Sequence, residues 1–136
     1  MAARTVNRGL LRILQQAFES TNYNAARNIQ VMSVDDSSVA FAQGDTALNT
    51  GGAVTNEFDD AFDATPTEGA QAVTAIMTLQ TGEGNFTIRR IATHDDVAGT
   101  VSTSSTTLCQ GIDGLSLTKT SDFTLAITLV TTATSV

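Results

Sequence analysis

The only histidine in this 136-residue chain sits beside two carboxylates, in His94-Asp95-Asp96, so acid–base chemistry or metal binding would have to begin there. Such chemistry needs a second partner brought to the imidazole by the fold: a nucleophile, another ligand, or an orienting group. The sequence holds no H-E-x-x-H, C-x-x-C or G-x-S-x-G arrangement that would supply one. The triplet is therefore expected to be a polar turn at a strand end. Asp59, Asp60, Asp63 and Glu68 offer the oxygen ligands that a divalent cation prefers, but without the spacing of an EF-hand. A solvated loop is expected there, and no metal is assigned. Cys109 is the single cysteine, with no histidine near it in sequence, and reads as a small buried hydrophobe. Gly51-Gly52 and Gly82-Glu83-Gly84 read as turns, because no Lys-Ser/Thr pair follows either as a phosphate loop requires. The hydroxyl-rich run Ser102 to Thr107 reads as a strand with cross-strand hydroxyl pairs. The inventory predicts no enzyme, no catalytic residue and no cofactor.

Composition narrows the class. A chain of 14.2 kDa with 41% hydrophobic and 15% charged residues is the size of one domain with its own core. Ten Gly, one Pro and abundant Thr, Val and Ile favour strands over helices. A net charge of -7 argues against nucleic-acid binding, which needs clustered Lys and Arg to neutralise phosphates. No run approaches the roughly 18 consecutive apolar residues of a membrane span. Arg12 interrupts Leu10-Leu11 and Ile13-Leu14, so no signal-peptide core is evident and a product made in the cytoplasm is expected.

The elements that would position these residues follow in order. Residues 5–20 predict the one helix, with Val6, Leu10, Ile13, Leu14, Ala17 and Phe18 on an apolar face and Arg4, Arg8 and Arg12 stepping by four beside it. Residues 27–42 read as the first strands, closed by Asp35-Asp36-Ser37-Ser38. Residues 43–69 read as an extended arm, pinned by Phe41, Val54, Phe58 and Phe62 either to the domain or across a subunit contact. Residues 70–131 form the expected β core. Within it, Val73, Ala75, Met77 and Leu79 share one face of a central strand, and Gly82 to Asn85 signals a hairpin. Phe86 and Ile88 then alternate, but Ile91 comes three residues after Ile88, a slip that predicts a β-bulge at Arg89-Arg90. Leu115 and Leu117 mark a short strand, and Phe123, Leu125, Ile127 and Leu129 alternate cleanly through the last one. The expected fold is mainly β: one antiparallel β-sandwich or barrel-like domain of jelly-roll or tulip type over residues 1–136, with an N-terminal α-helix and a long loop.

Arg89, Arg90 and Lys119 are the sole cations after Arg27, so pairing with the many carboxylates of a neighbouring strand or subunit is expected of them. With Arg4, Arg8, Arg12, Phe58 and Phe62 they make up the expected interface residues.

Four segments, in order, resemble small bacteriophage virion proteins. They are Gly44-Asp45-Thr46-Ala47-Leu48, Gly52-Ala53-Val54-Thr55-Asn56-Glu57-Phe58-Asp59, Gly84 to Ala92 with the following His94-Asp95-Asp96, and Leu117 to Leu125. Together they look like the "T-A-L … I-R-x-I-A … T-K-T-x-D-x-L-x-I-x" layout of modules described as tail-fibre-like or encoded near capsid genes. The resemblance spans about residues 44 to 130 and implies a non-enzymatic virion structural protein. Its expected role is a capsid decoration or cement subunit, a homotrimer held by contacts to the major capsid protein. The alternative is a tail or neck component, such as a tail-fibre base or tail-tip adaptor, bound to tail proteins. A carbohydrate-binding β-sandwich is a further alternative, weakened by 5% aromatic content, no Trp and the single Tyr23.

Overall fold

Short runs of β-branched and small residues, separated by Asp, Gly and Ser, give the chain strands and turns. The structure, a computed structural model, describes residues 2–5, 29–49, 54–64, 67–69, 72–95, 99, 101, 103 and 105–132. It contains strands β1 (Ala2–Thr5), β2 (Val31–Asp35), β3 (Glu57–Ala61), β4 (Thr67–Gly69) and β5 (Ala72–Leu79). These are followed by β6 (Thr87–Ile88), β7 (Arg90–His94), β8 (Leu108–Asp113), β9 (Leu117–Thr118) and β10 (Leu125–Thr132). The fold is mainly β, every strand pairing is antiparallel, and no helix occurs among the described residues. The helix expected over 5–20, with Arg8 and Arg12, lies outside them; Thr5 itself ends β1.

A five-stranded sheet has the order β1-β8-β7-β2-β3, a three-stranded sheet the order β10-β5-β4, and β6-β9 form a two-stranded ribbon. Alternation along β2 divides the interior in two, because successive side chains point to opposite faces. Met32 and Val34 join Ala75, Met77, Leu79, Ile88 and Ile127 in one apolar cluster, so this core lies between the five-stranded and three-stranded sheets. Val31 faces the other way, into a second cluster with Phe41, Leu48, Ala92, Val101 and Leu108. That second core is roofed by the connections after β2 and after β7. Both faces of β2 are thus covered, and all five of its residues are buried.

Several sequence expectations change at this point. The stretch 43–69, expected as an extended arm or loop, carries β3 and β4; Val54, Phe58 and Phe62 do pack on the domain, and Leu48 within it is 1% exposed. β3 reads E-F-D-D-A and has little intrinsic strand preference, yet it pairs along the whole of β2, with Phe58 opposite Val34 and packed on the inter-sheet core. Among the described residues 29–42 of the expected first strands, 31–35 are strand. The Gly82 turn exists, with Glu83 N donating to Gln80 O, but it joins strands of different sheets and makes no hairpin. The phase slip after Ile88 has the same origin. β6 pairs with β9 and β7 pairs with β2, so Arg89 is where the chain changes sheets; the register irregularity lies instead between Thr93 and His94. The last strand begins at Leu125, leaving Phe123 exposed before it.

Candidate functional site

Among the described residues the largest fully buried side chain is Arg90, at 1% exposure, and a cluster of polar contacts gathers on it. β7 places Arg90 directly opposite Asp35 on β2, which gives the two side chains a common face. Arg90 Nε donates to Asp35 Oδ1 at 2.8 Å and Nη2 donates to Asp35 Oδ2 at 2.9 Å, a bidentate pair. The same guanidinium donates to Leu48 O at 2.6 Å and to Val39 O at 3.2 Å. It stacks over the Phe41 ring at 4.3 Å. Phe41 N donates to Asp113 Oδ2 at 2.8 Å, and its ring lies on the bare backbone of Gly111, where a Cβ would overlap it. One arginine therefore ties β2, β7 and the connection 36–49 into a unit. Burial pushes the Asp35 carboxyl up, opposed by the hydrogen bonds from Arg90 and from Ser37 N.

The row continues onto β3. Glu57 stands opposite Asp35, and Asp59 follows on the same face. Glu57 Oε1 is buried with no hydrogen-bond partner. Burial, with repulsion from Asp59 and Asp35, raises the Glu57 carboxyl to about 7. Asp36, next to this row, behaves oppositely. Burial works to raise it, but hydrogen bonds from Asn56 N, Asn56 Nδ2 and Thr55 N outweigh that and hold it below the usual carboxylate range.

The carboxylates of Asp59, Asp60 and Asp63 each accept from separate nearby donors. Asp59 Oδ2 accepts from Gly99 N, Asp60 Oδ1 from Ala61 N, and Asp63 from Thr78 N and Oγ1. Among the described residues no group of three or more His, Cys, Asp or Glu is placed to hold a metal.

His94 ends β7 and Asp95 bends away from it, a strand end as expected, and both are buried. Ser33 Oγ lies 2.7 Å from His94 Nε2, and Thr107 Oγ1 lies 3.2 Å from Nδ1. Ser33 and His94 are each 0% exposed, so this serine–histidine contact is sealed from any substrate and works as a tie between β2, β7 and the 95–107 connection.

The remaining expected interface residues are scattered. Arg4 lies in β1 opposite Gly111. Phe58 and Phe62 pack against the inter-sheet core, and Arg89 is exposed. Lys119 is 1% exposed; its Nζ donates to Asn85 Oδ1 at 3.0 Å and to Thr120 O at 3.3 Å, and lies 5.7 Å from the Phe123 ring centroid. The expected pairing of Arg90 with a carboxylate is present within the chain, whereas Lys119 finds amide and carbonyl oxygens. Sequence reasoning passed over Asp35, Phe41, Gly111 and Glu57. The phase slip pointed at Arg90, but nothing local marked partners that lie as far as 55 residues away.

A cleft of about 210 Å³ opens between the two larger sheets, lined by Ile91, Thr93, Gln110, Ile112, Leu129 and Thr131 among others. Outside it, the solvent face of the three-stranded sheet carries Thr74, Ile76 and Thr78 on β5 and Ala126, Thr128, Val130 and Thr132 on β10, all without charge. Val130 is 55% exposed and Ile76 40%. No family model matches the chain, and no curated protein or solved structure matches it either.

Proposed function

We propose that this chain is a non-enzymatic structural protein of a bacteriophage virion, its two larger sheets forming the layers of a β-sandwich. Within that class the best reading is a capsid decoration or cement subunit, made in the host cytoplasm and bound to the head through subunit contacts. The observation that carries it is the outer face of β5 and β10, whose own side chains are uncharged and which the Asp63 carboxylate borders at Thr78. A chain of net charge -7 meets its neighbours with least electrostatic cost through such a face, and exposed Ile76 and Val130 supply apolar contact there. The buried ties point the same way. Arg90, Lys119, Ser33 and His94 spend their hydrogen bonds inside the fold, as suits a rigid building block more than a reactive surface.

Gold-labelled antibody microscopy on intact particles tests the reading. Label over the heads is expected. Label confined to the tail or neck replaces decoration with the tail-adaptor alternative, and unlabelled particles overturn the virion assignment, given an antibody shown to bind the folded protein.

A further inference from the structure

β3 is the outer strand of the described five-stranded sheet, paired with β2, and it carries a buried carboxyl oxygen without a hydrogen-bond partner, on Glu57. Glu57 projects onto the face that holds Asp35 opposite it and Asp59 two residues on. The described cation on that face, Arg90, is already engaged by both oxygens of Asp35 and by two carbonyls. Asp36, at the end of β2, is turned to the Asn56 and Thr55 amides. On the side of the 95–107 connection, the described group that meets the row is the uncharged amide of Gly99, which donates to Asp59 Oδ2 at 2.6 Å. Glu57 Oε1 lies buried among these groups with no partner. A neutral carboxyl fits this place, donating its proton toward Asp59. A carboxylate would be a third negative charge facing Asp35 and Asp59, and among the described residues the nearby cation, Arg90, is already engaged.

We propose that Glu57 is a proton-operated latch on the sheet edge: protonated, it holds β3 and the Gly99 turn against β2, and on losing its proton it loosens both. The device is independent of the virion reading, since it needs only the β2–β3 edge. Its direction follows from linkage. The closed edge binds the proton more tightly than the open one, so closure is favoured at low pH and weakens as pH rises from the ordinary glutamate range to about neutrality, with no further loss above that. With the closed-state carboxyl at about 7 and the open-state group at its ordinary value of 4.5, the opening constant of β3 rises about tenfold between pH 6 and pH 8.

Amide hydrogen exchange on the full chain, corrected for the intrinsic pH dependence of exchange, reads this directly. In the wild type the β3 amides should lose about tenfold protection between pH 6 and pH 8, while β5 and β10 stay level. In Glu57→Gln the β3 protection should be flat across that range. A carbon-13 carboxyl titration of the unmodified protein gives a second reading, with the Glu57 midpoint expected near neutrality and shifted down in Asp59→Asn. A Glu57 midpoint in the ordinary glutamate range, or a Glu57→Gln variant that keeps the pH-dependent loss, overturns the latch.

Discussion

Replacing Arg90 by Met tests whether the buried hub organises the second core. The side chains are similar in length, so the change leaves little cavity and isolates the polar loss. Asp35 would keep its carboxylate at 1% exposure with Ser37 N as its remaining donor, and the carbonyls of Leu48 and Val39 would lose theirs. Breaking a buried ion pair by removing one partner costs about 3–5 kcal/mol, because the other charge stays desolvated and uncompensated. About 4 kcal/mol is expected here, a large share of the roughly 5–15 kcal/mol that holds a domain of this size together. Asp35→Asn alone should cost about 3 kcal/mol by the same logic, stranding the guanidinium. The double variant Asp35→Asn/Arg90→Met removes both charges, and the side-chain amide oxygen it introduces on β2 can still accept from Ser37 N. Its cost should fall short of the sum of the single costs by about 3 kcal/mol. Urea unfolding followed by far-ultraviolet circular dichroism suits a chain with no Trp. The Arg90→Met defect should also shrink as pH falls. Without Arg90 the buried Asp35 carboxyl is raised further in the folded state, so the penalty applies at neutral pH and is relieved on protonation. Additive single costs, or an Arg90→Met loss under about 1 kcal/mol, would refute the claim that the pair is the hub.

Two further outcomes follow from the same neighbourhood. Gly111→Ala places a methyl group inside the Phe41 ring, so thermal unfolding should show a loss of about 1–3 kcal/mol, partly recovered when Phe41→Leu is added. Asp36→Ala removes the acceptor for Thr55 and Asn56 and should cost about 1 kcal/mol at pH 7. Because the Asp36 carboxyl is lowered in the folded state, this stabilisation is present above its unfolded value of 3.8 and disappears as pH falls through the folded one. A defect that persists undiminished at pH 2 would exclude the charge-assisted bonds as its source.

The strands that sequence displays well are those with one wet face and one dry one. β5 and β10 alternate cleanly, and Ala75, Met77, Leu79 and Ile127 are buried as that alternation implies. Val73, on the same face, is 43% exposed, because it lies near the strand end opposite Thr131, which is exposed too. β2 is harder to read. Its second dry face is built from Ser33 and Asp35, whose burial depends on partners supplied from β7 and from the 36–49 connection. β3 is harder still, since its acids at Glu57, Asp59 and Asp60 argue against a strand until Phe58 is seen opposite Val34. The phase slip at Arg89 was legible as an irregularity, but a bulge and a change of sheet leave the same mark on local periodicity. Only pairing partners distant in sequence separate the two.

The division of labour among the faces explains why an acidic chain with so few cations can close around one of them. Apolar burial between the two larger sheets is non-directional and tolerates many arrangements of similar volume. The polar face of β2 is directional: the bidentate fit of Arg90 on Asp35 selects one register of β7 against β2, and the two carbonyl acceptors select one path for residues 36–49. A slip of one residue would turn Asp35 toward the apolar core and leave both charges buried apart, at a cost comparable to the stability of the whole domain. This buried pair therefore contributes more to choosing this arrangement over its neighbours than to net stability, where desolvation offsets much of its attraction. That choice is made inside the fold, while the strand residues on the outer face of β5 and β10 carry no charge of their own.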